Sequence, residues 1–512
     1  MKNKANKGTA LIIVLIAAIV LSILVGALYT LFQSNTRSQA WAKERIQARF
    51  TAEAGTNLSI YMIMEGADVP QGTDPIKFLP ETGNWHDLGS EMGWVLVYVD
   101  PHDKNAEIAS ANAYEVRCLS KVLSEDQTHM YGIASLILPR NFAVFATFLN
   151  QAGGGYYGDN YRFDGPFHSN EVPWLSSATP DGVNDLWVYS MSVAADHYLY
   201  YNPSTGGLEN ATTPHHKNLY IQPYEKMLMG EPYFALDVDP IPFGSDEVNW
   251  EGAFNAANSG GLVLNGLDNF TRMILLDSLL LVKQSNIADV DTFDLSSYAN
   301  PVVWVNNGDT ETVYLKTDEE LNFRNHGLSG LPDGLTIGVN GNLSVSGPIL
   351  YGNIDLMDED NTTLLGLIVK EGDFTVALDP DITGMTEWGD ETWEIKTSHH
   401  DYDGIEIDAV FMVLEGNFEL EDGTNTHWPS PAIDLEIVGG YIVENEGITT
   451  WSYSGQTWGY WTFVTYDPRL MTMHPPYFPQ TGVWDTGYWD ERPDMHDVAD
   501  PNDPNWIGQN GV

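Results

Sequence analysis

Residues 9–32, TALIIVLIAAIVLSILVGALYTLF, contain no charged position. At about 1.5 Å per residue a helix of that length is about 36 Å long, enough to cross the hydrocarbon core of a bilayer. From Gln33 to Met64 there is no proline and a single glycine, Gly55, so the pattern predicts one helix over residues 9–65. Ile46, Phe50, Ala54, Leu58 and Met62 recur every four residues and draw an apolar stripe. Ala18, Ser22 and Gly26 keep the same spacing inside the apolar half, where small side chains let helix backbones approach closely in lipid. A helix that is half apolar all round and half amphipathic needs partners along its whole length.

The periodicity changes after Gly66. Alternation in GWVLVYVD, and in YEVRCLSKVL followed by MYGIASLIL, predicts strands and a hairpin within a small β head over residues 66–140. The run TFLNQAGGGYYGDN then reads as a loop. Over residues 141–450 a five-residue pattern recurs: glycine, Asn or Asp, then apolar–polar–apolar. It starts at Gly341, Gly352, Gly372 and Gly416. Glycine supplies the left-handed corner, Asn or Asp bonds the local backbone, and the two apolar residues point into one core. The fold expected is mainly β with one long N-terminal helix, the body being a parallel β-solenoid. The repeats are unevenly spaced, which leaves a β-sandwich open. Residues 451–512 are dense in aromatics and end in an acidic tail. They read as a cap over the last coil or as a sugar-stacking platform, with Trp458, Trp461, Trp484 and Trp489 as surface-binding candidates.

Composition adds compartment and charge. The chain has 512 residues, is 43% hydrophobic and 12% aromatic, and carries a formal net charge of −48. That aromatic content separates it from acidic disordered proteins. Residues 1–50 hold seven Lys or Arg and one acid, a net of +6, which leaves −54 on the rest. So acidic a body repels nucleic acid, and no nucleic-acid partner is expected. Lys2, Lys4 and Lys7 precede the apolar run, which places the N-terminus in the cytoplasm and the body outside. Inner-membrane lipid is then the partner of residues 9–32. A cleaved secretory signal would be shorter in its apolar part and end in a small-residue cleavage box, whereas this run continues into QSNTRSQAWAKERIQARF.

The stretch from Lys7 to Tyr61, KGTALIIVLIAAIVLSILVGALYTLFQSNTRSQAWAKERIQARFTAEAGTNLSIY, resembles the N-terminal region of PilX-type minor pilins of type IV pili. It has a basic leader ending in glycine, an apolar helix, and an AEAG-like motif, here Ala52, Glu53, Ala54 and Gly55. The resemblance implies a leader of residues 1–8 cut between Gly8 and Thr9, a head packed on the C-terminal half of the helix, and other pilins as partners in a helical fibre. Major pilins carry glutamate at the fifth mature position, and here that position is Ile13. RFDGPFHSN (162–170), residues 339–374, GIEIDAVFMVLEG (404–416) and YDPRLMTMHPPYFPQTG (466–482) are similar to an uncharacterised family of large bacterial proteins with a PilX-like N-terminus.

Candidate chemistry is sparse. His399, His400, Asp401 and Asp403 form the tightest metal-like cluster, without the spacing of a known motif. The runs 358–361 and 497–503 are oxygen-rich, which keeps calcium open as a ligand, but neither has the glycine and terminal glutamate of a calcium loop. Asp164, His168 and Asn170 read as turn-stabilising residues rather than a catalytic set. The one cysteine, Cys118, reads as a buried structural thiol. No phosphate loop, GxSxG or CxxC motif is present, and no enzymatic activity is expected. The sequence thus points to a minor pilin or pseudopilin whose assembly residues are Ala18, Ser22, Gly26, Ile46, Phe50, Glu53, Ala54 and Leu58. The alternative is a membrane-anchored surface protein that binds glycan or calcium outside any fibre.

Overall fold

The computed structural model describes residues 6–64, 76–79, 85–89, 92–101, 114–123, 128–152, 162–175, 186–202, 205, 207–216, 219–223, 233–265, 267, 271–284, 289–307, 312–317, 334–351, 363–376, 404–420, 432–447, 449–453, 456–471 and 473–493. The chain is mainly β with one long N-terminal helix. It divides into two units: residues 1–104, 112–138 and 484–512 form one, and residues 105–111 and 139–483 form the other.

In the first unit the helix Asn6–Met64 runs without a break. Its C-terminal half lies on an antiparallel sheet. The side chains buried there are Ala48, Thr51, Ala52, Thr56, Ser59 and Ile63, which share one face at about 100° per residue. Most are small, so backbone and sheet come close. The Ser120 hydroxyl donates to the Ala48 carbonyl at 2.6 Å, and the Thr51 hydroxyl to the Met92 carbonyl. Closest of all is Gly55, where a Cβ would stand 2.7 Å from Val95 Cγ1 and 2.8 Å from Cys118 Sγ. Beneath it Val95, Val97, Val99, Val116, Cys118, Ile133 and Ile137 form the core of the head.

The sheet runs in the order Ile76–Leu79, Trp94–Pro101, Tyr114–Leu123, Thr128–Asn141, Gln480–Pro493, with His86–Asp87 paired to Trp94–Pro101 off that path. The hairpin read from the sequence is present, Tyr114 to Leu123 pairing antiparallel with Ile137 to Thr128. The head is not complete at residue 140, however. Its last strand, Gln480–Pro493, comes from more than three hundred residues further on, in a region read from sequence as part of a cap. An edge strand exposes a row of unpaired amides and carbonyls, and Gln480–Pro493 covers that edge of Thr128–Asn141.

The second unit is a stack of coils held by parallel, in-register pairing. One column begins with Leu262–Asn265 on Val302–Asn306 and continues through Leu335–Asn340 and Leu365–Val369. It passes the middle of Gly404–Leu420 and of Ile433–Glu446 to Thr147–Gln151, and then Phe167–Ser169, Met191–Val193 and Phe234–Leu236. A second column stacks Thr271–Leu276, Thr312–Thr317, Asn342–Val345 and Phe374–Val376 and reaches Phe418–Leu420, where Phe418 pairs onward with Glu446. A third joins Ile433–Glu446 to Gln456–Thr465, Arg162–Asp164, Leu186–Tyr189 and Leu219–Gln222.

The order of the coils is not the order of the chain. The polypeptide joins the stack in its middle at Thr147 and winds outward to Phe234–Leu236. It then crosses to the opposite end at Leu262 and winds back until Tyr441–Val443 pairs with Thr147–Leu149. Three of the four glycine-led repeats fall on consecutive coils, Leu343 pairing with Phe374 and Phe374 with Phe418. Their glycines, Gly341, Gly372 and Gly416, have φ of 138°, 123° and 152°, which an L-residue adopts only with strain. The next residue ties each coil to the one before: Asn342 Oδ1 accepts from the Asp373 amide at 2.9 Å and Asp373 Oδ1 from the Asn417 amide at 2.8 Å. The repeat at Gly352 lies outside the described residues.

The aromatic segment 456–465 departs from the cap reading. Tyr460–Thr465 is paired on both sides, with Ile433–Val438 and, through Phe463–Thr465, with Arg162–Asp164. It is an interior coil.

Candidate functional site

The helix presents two kinds of surface. Every residue from Ile12 to Phe32 is exposed, and the segment is long and apolar enough to cross a membrane. Ala18, Ser22 and Gly26 lie on this half. Ser22 Oγ is bonded to the Ala18 carbonyl at 2.8 Å, so its polar group is satisfied within the helix. A Cβ added at Gly26 would meet nothing within 4 Å. Gly8 and Thr9 fall within the helix, with side chains outside the described set.

Beyond the apolar half the stripe drifts. A step of four residues turns a helix by about 400°, a drift of about 40° per step. Ile46 and Phe50 therefore face away from the sheet, 55% and 60% exposed, with Tyr61 at 60% on the same side. Ala54 is intermediate in exposure, and Leu58 and Met62 rotate toward the sheet and are half-buried against its core. Of the AEAG motif, Ala52 and Gly55 pack on the sheet. Glu53 accepts an ion pair from Arg49 Nε at 3.0 Å.

That arginine also reaches the last strand. Arg49 Nη2 lies 2.8 Å from Glu491 Oε1. Glu491 accepts from the Tyr131 hydroxyl on the neighbouring strand and from Trp489 Nε1 at 3.3 Å. The Tyr131 hydrogen bond, with Trp489 and Arg49 adding to it, holds the Glu491 carboxyl below the usual carboxylate range. Burial, then the carboxylate, pushes the Tyr131 phenol up to about 12. Burial likewise raises the Cys118 thiol to about 12, where it is inert as a nucleophile at neutral pH.

In the coil stack His168 is 2% exposed. Its Nδ1 lies 2.8 Å from Ser192 Oγ and its Nε2 3.0 Å from Asn170 Oδ1, and its ring stacks on Phe148. Burial lowers its pKa to about 4, so the ring is neutral at pH 7. A Ser–His–Asn constellation has the parts of a nucleophile and its base, and here the His168 ring is enclosed between Phe145 and Phe148. Asn170 instead grips the crossing segment, accepting from the Ile241 amide at 2.9 Å and donating to its carbonyl at 2.7 Å. Asp164 pairs with Arg162.

The crossing segment runs along the outside of the stack. Phe243 packs on Phe142 and Phe148, Ser245 bonds Glu415, and Trp250 stacks on Trp304 under the Lys370 ammonium. The returning segment 466–481 lies on the same wall. Arg469 makes a buried ion pair with Asp467 and donates to the Thr363 carbonyl at 3.1 Å. Thr336 donates to the Pro476 carbonyl and Phe142 N–H to Pro479. The wall makes room for it: a Cβ on Gly366 would stand 2.7 Å from Phe478 and 2.8 Å from Pro475. This explains why the outward side chains of the column, Ile368, Met412 and Ile442, are apolar and fully buried.

Of the four tryptophans, Trp458 and Trp461 are half-buried in the second unit, while Trp489, 38% exposed, belongs to the first. The side chain of Trp484 lies outside the described set, as do His399, His400, Asp401, Asp403 and the runs 358–361 and 497–503. Sequence reading missed Glu491 and the Asp467–Arg469 pair. The only signal for the latter was a charged pair flanking a proline in YDPRLM.

No family model and no curated protein matches the chain. Among solved structures, the crystal structure of the competence-associated pilin ComZ from Thermus thermophilus is similar at 11% identity. The match covers 88% of this chain and 98% of that one, with a TM-score of 0.24. A TM-score of that size establishes neither a shared fold nor a shared function.

Proposed function

We propose that the chain is a minor pilin or pseudopilin-like subunit of a type IV pilus or related fibre, exported with its helix in the membrane and its body outside. One observation carries this reading: a single helix is apolar and unburied in its first half, and in its second half rests one face on a sheet while Ile46, Phe50 and Tyr61 stay exposed. A stand-alone anchor has no need of an apolar stripe beyond the membrane; a helix that packs among other helices does. The prepilin cut between Gly8 and Thr9, the β-solenoid character of the stack and a part in adhesion belong to the same proposal. The acidic body, at −54, repels further copies of itself and makes the chain a poor repeating subunit. It sits best at a tip or as an occasional member among less acidic pilins. Gly26→Leu and Phe50→Glu each remove the chain from sheared fibres while it stays in the membrane fraction. Unchanged incorporation of both variants contradicts the reading.

A second reading, an anchored glycan-binding surface protein, draws on the outward face of the third column. Trp461 and Phe463 alternate there, both half-buried, with exposed Asp434 and Glu436 paired to them on the next coil. Aromatic faces stack on sugars and carboxylates accept from hydroxyls. Loss of glycan retention in Trp461→Ala would support it, and retention that ignores this change would remove it.

A further inference from the structure

We infer that the strand Gln480–Pro493 is a closing latch, and that it makes the helix-bearing unit depend on prior delivery of residues 139–483. The inference rests on the fibre reading only in its last step, the link to assembly.

The first unit is assembled from segments far apart in the sequence. Its helix and the strands from Ile76 to Leu138 come first, and its last strand follows after residues 139–483. Until that strand arrives, Thr128–Asn141 is an edge with a free row of amides and carbonyls. Its arrival is keyed by the Glu491 carboxylate. Glu491 meets Tyr131 on the neighbouring strand and Arg49 on the helix, so one side chain joins the new strand to both elements it must settle on. Arg49 is held in turn by Glu53, which orients the guanidinium along the helix. Charge-assisted hydrogen bonds of this kind are the stronger class, and the site is half-exposed, so it can form late without burying an unpaired charge.

The position of the latch in the sequence gives it a meaning. A chain threaded through a membrane from its N-terminus delivers residues 484–493 only after residues 139–483. The helix therefore stands beside an unfinished sheet until the body has followed. A chain cut short anywhere in residues 139–483 keeps its membrane helix and lacks the strand that closes the head. Assembly competence is in this way tied to delivery of residues 139–483.

Hydrogen exchange on the full-length protein in detergent, read by mass spectrometry, tests the latch. Glu491→Ala speeds exchange at least tenfold over residues 484–493 and 128–138, with residues 335–345 of the coil stack unchanged. Glu491→Gln, which still accepts from Tyr131 and Trp489, falls between wild type and alanine. The exchanged pair Arg49→Glu with Glu491→Arg recovers part of the protection that either single change loses. Wild-type exchange over 128–138 in Glu491→Ala overturns the latch. The link to assembly is tested by a stop after Val483: such a chain, present in membranes but absent from fibres that hold the wild type, supports it, and incorporation at the wild-type level refutes it. If the wild type itself never enters fibres, the fibre reading fails while the exchange result still decides the latch.

Discussion

His168 and Gly55 show how single residues carry the account. The folded-state pKa of His168 is about 4, against 6.5 for an unburied imidazole. Between those values the unfolded chain takes up a proton that the folded chain refuses, so this residue costs stability as pH falls from 6.5 to 4 and adds no further loss below that. The loss amounts to at most about 3 kcal/mol. Urea unfolding followed in the coil stack at pH 7 and pH 4.5 measures it; His168→Phe, which keeps the stacking on Phe148, flattens this part of the slope. At Gly55 a branched side chain would strike Val95 and Cys118. Gly55→Val is expected to cost the first unit about 1–3 kcal/mol, seen as a lower midpoint for loss of head structure. At this scale the sequence was partly readable. The single glycine in a long helix was visible, but that it marks the closest approach to a sheet depends on which face Val95 and Cys118 occupy.

Elements were readable where a local rule governed them. The glycine–Asn/Asp–apolar–polar–apolar repeat could be found because each coil must turn its corner with a left-handed glycine and tie its amide to the coil before. The crossing and returning segments left no comparable trace, since they follow an outer wall rather than a period. PPYFP is a tight turn, with the Phe478 amide donating to the Pro475 carbonyl at 3.1 Å and Tyr477 at a φ of 57°, yet its place over Gly366 depends on a strand more than a hundred residues away. The apolar stripe of the helix was legible as a stripe but not as a drifting one, and the drift is what hands Ile46 and Phe50 to solvent and Leu58 and Met62 to the sheet. Asn170 tests the crossing segment. Asn170→Ala strips the Ile241 amide and carbonyl of their partner and leaves His168 short of one bond, a cost of about 1–3 kcal/mol. Limited proteolysis should then cut first between residues 237 and 250, while wild type resists there.

For the whole molecule, the path of the chain is the feature local patterns could not supply. A stack joined in its middle, wound outward, crossed and wound back has the pairing of an ordinary coil array, so strand patterns alone do not distinguish it. The same holds for a head closed by the chain's last described strand. The charge split was legible from the outset: a cationic, apolar helix and a strongly acidic remainder. It predicts that self-association of the full chain is weak at low salt and strengthens as salt screens the bodies, because the Debye length falls to about 3 Å at 1 M. The central claim, that the helix enters a fibre after processing, is met most directly by N-terminal mass spectrometry on the protein from sheared surface fibres and, separately, from membranes. The account predicts a fibre-associated form that begins at Thr9. A chain that begins at Met1 and occurs only in membranes would contradict it.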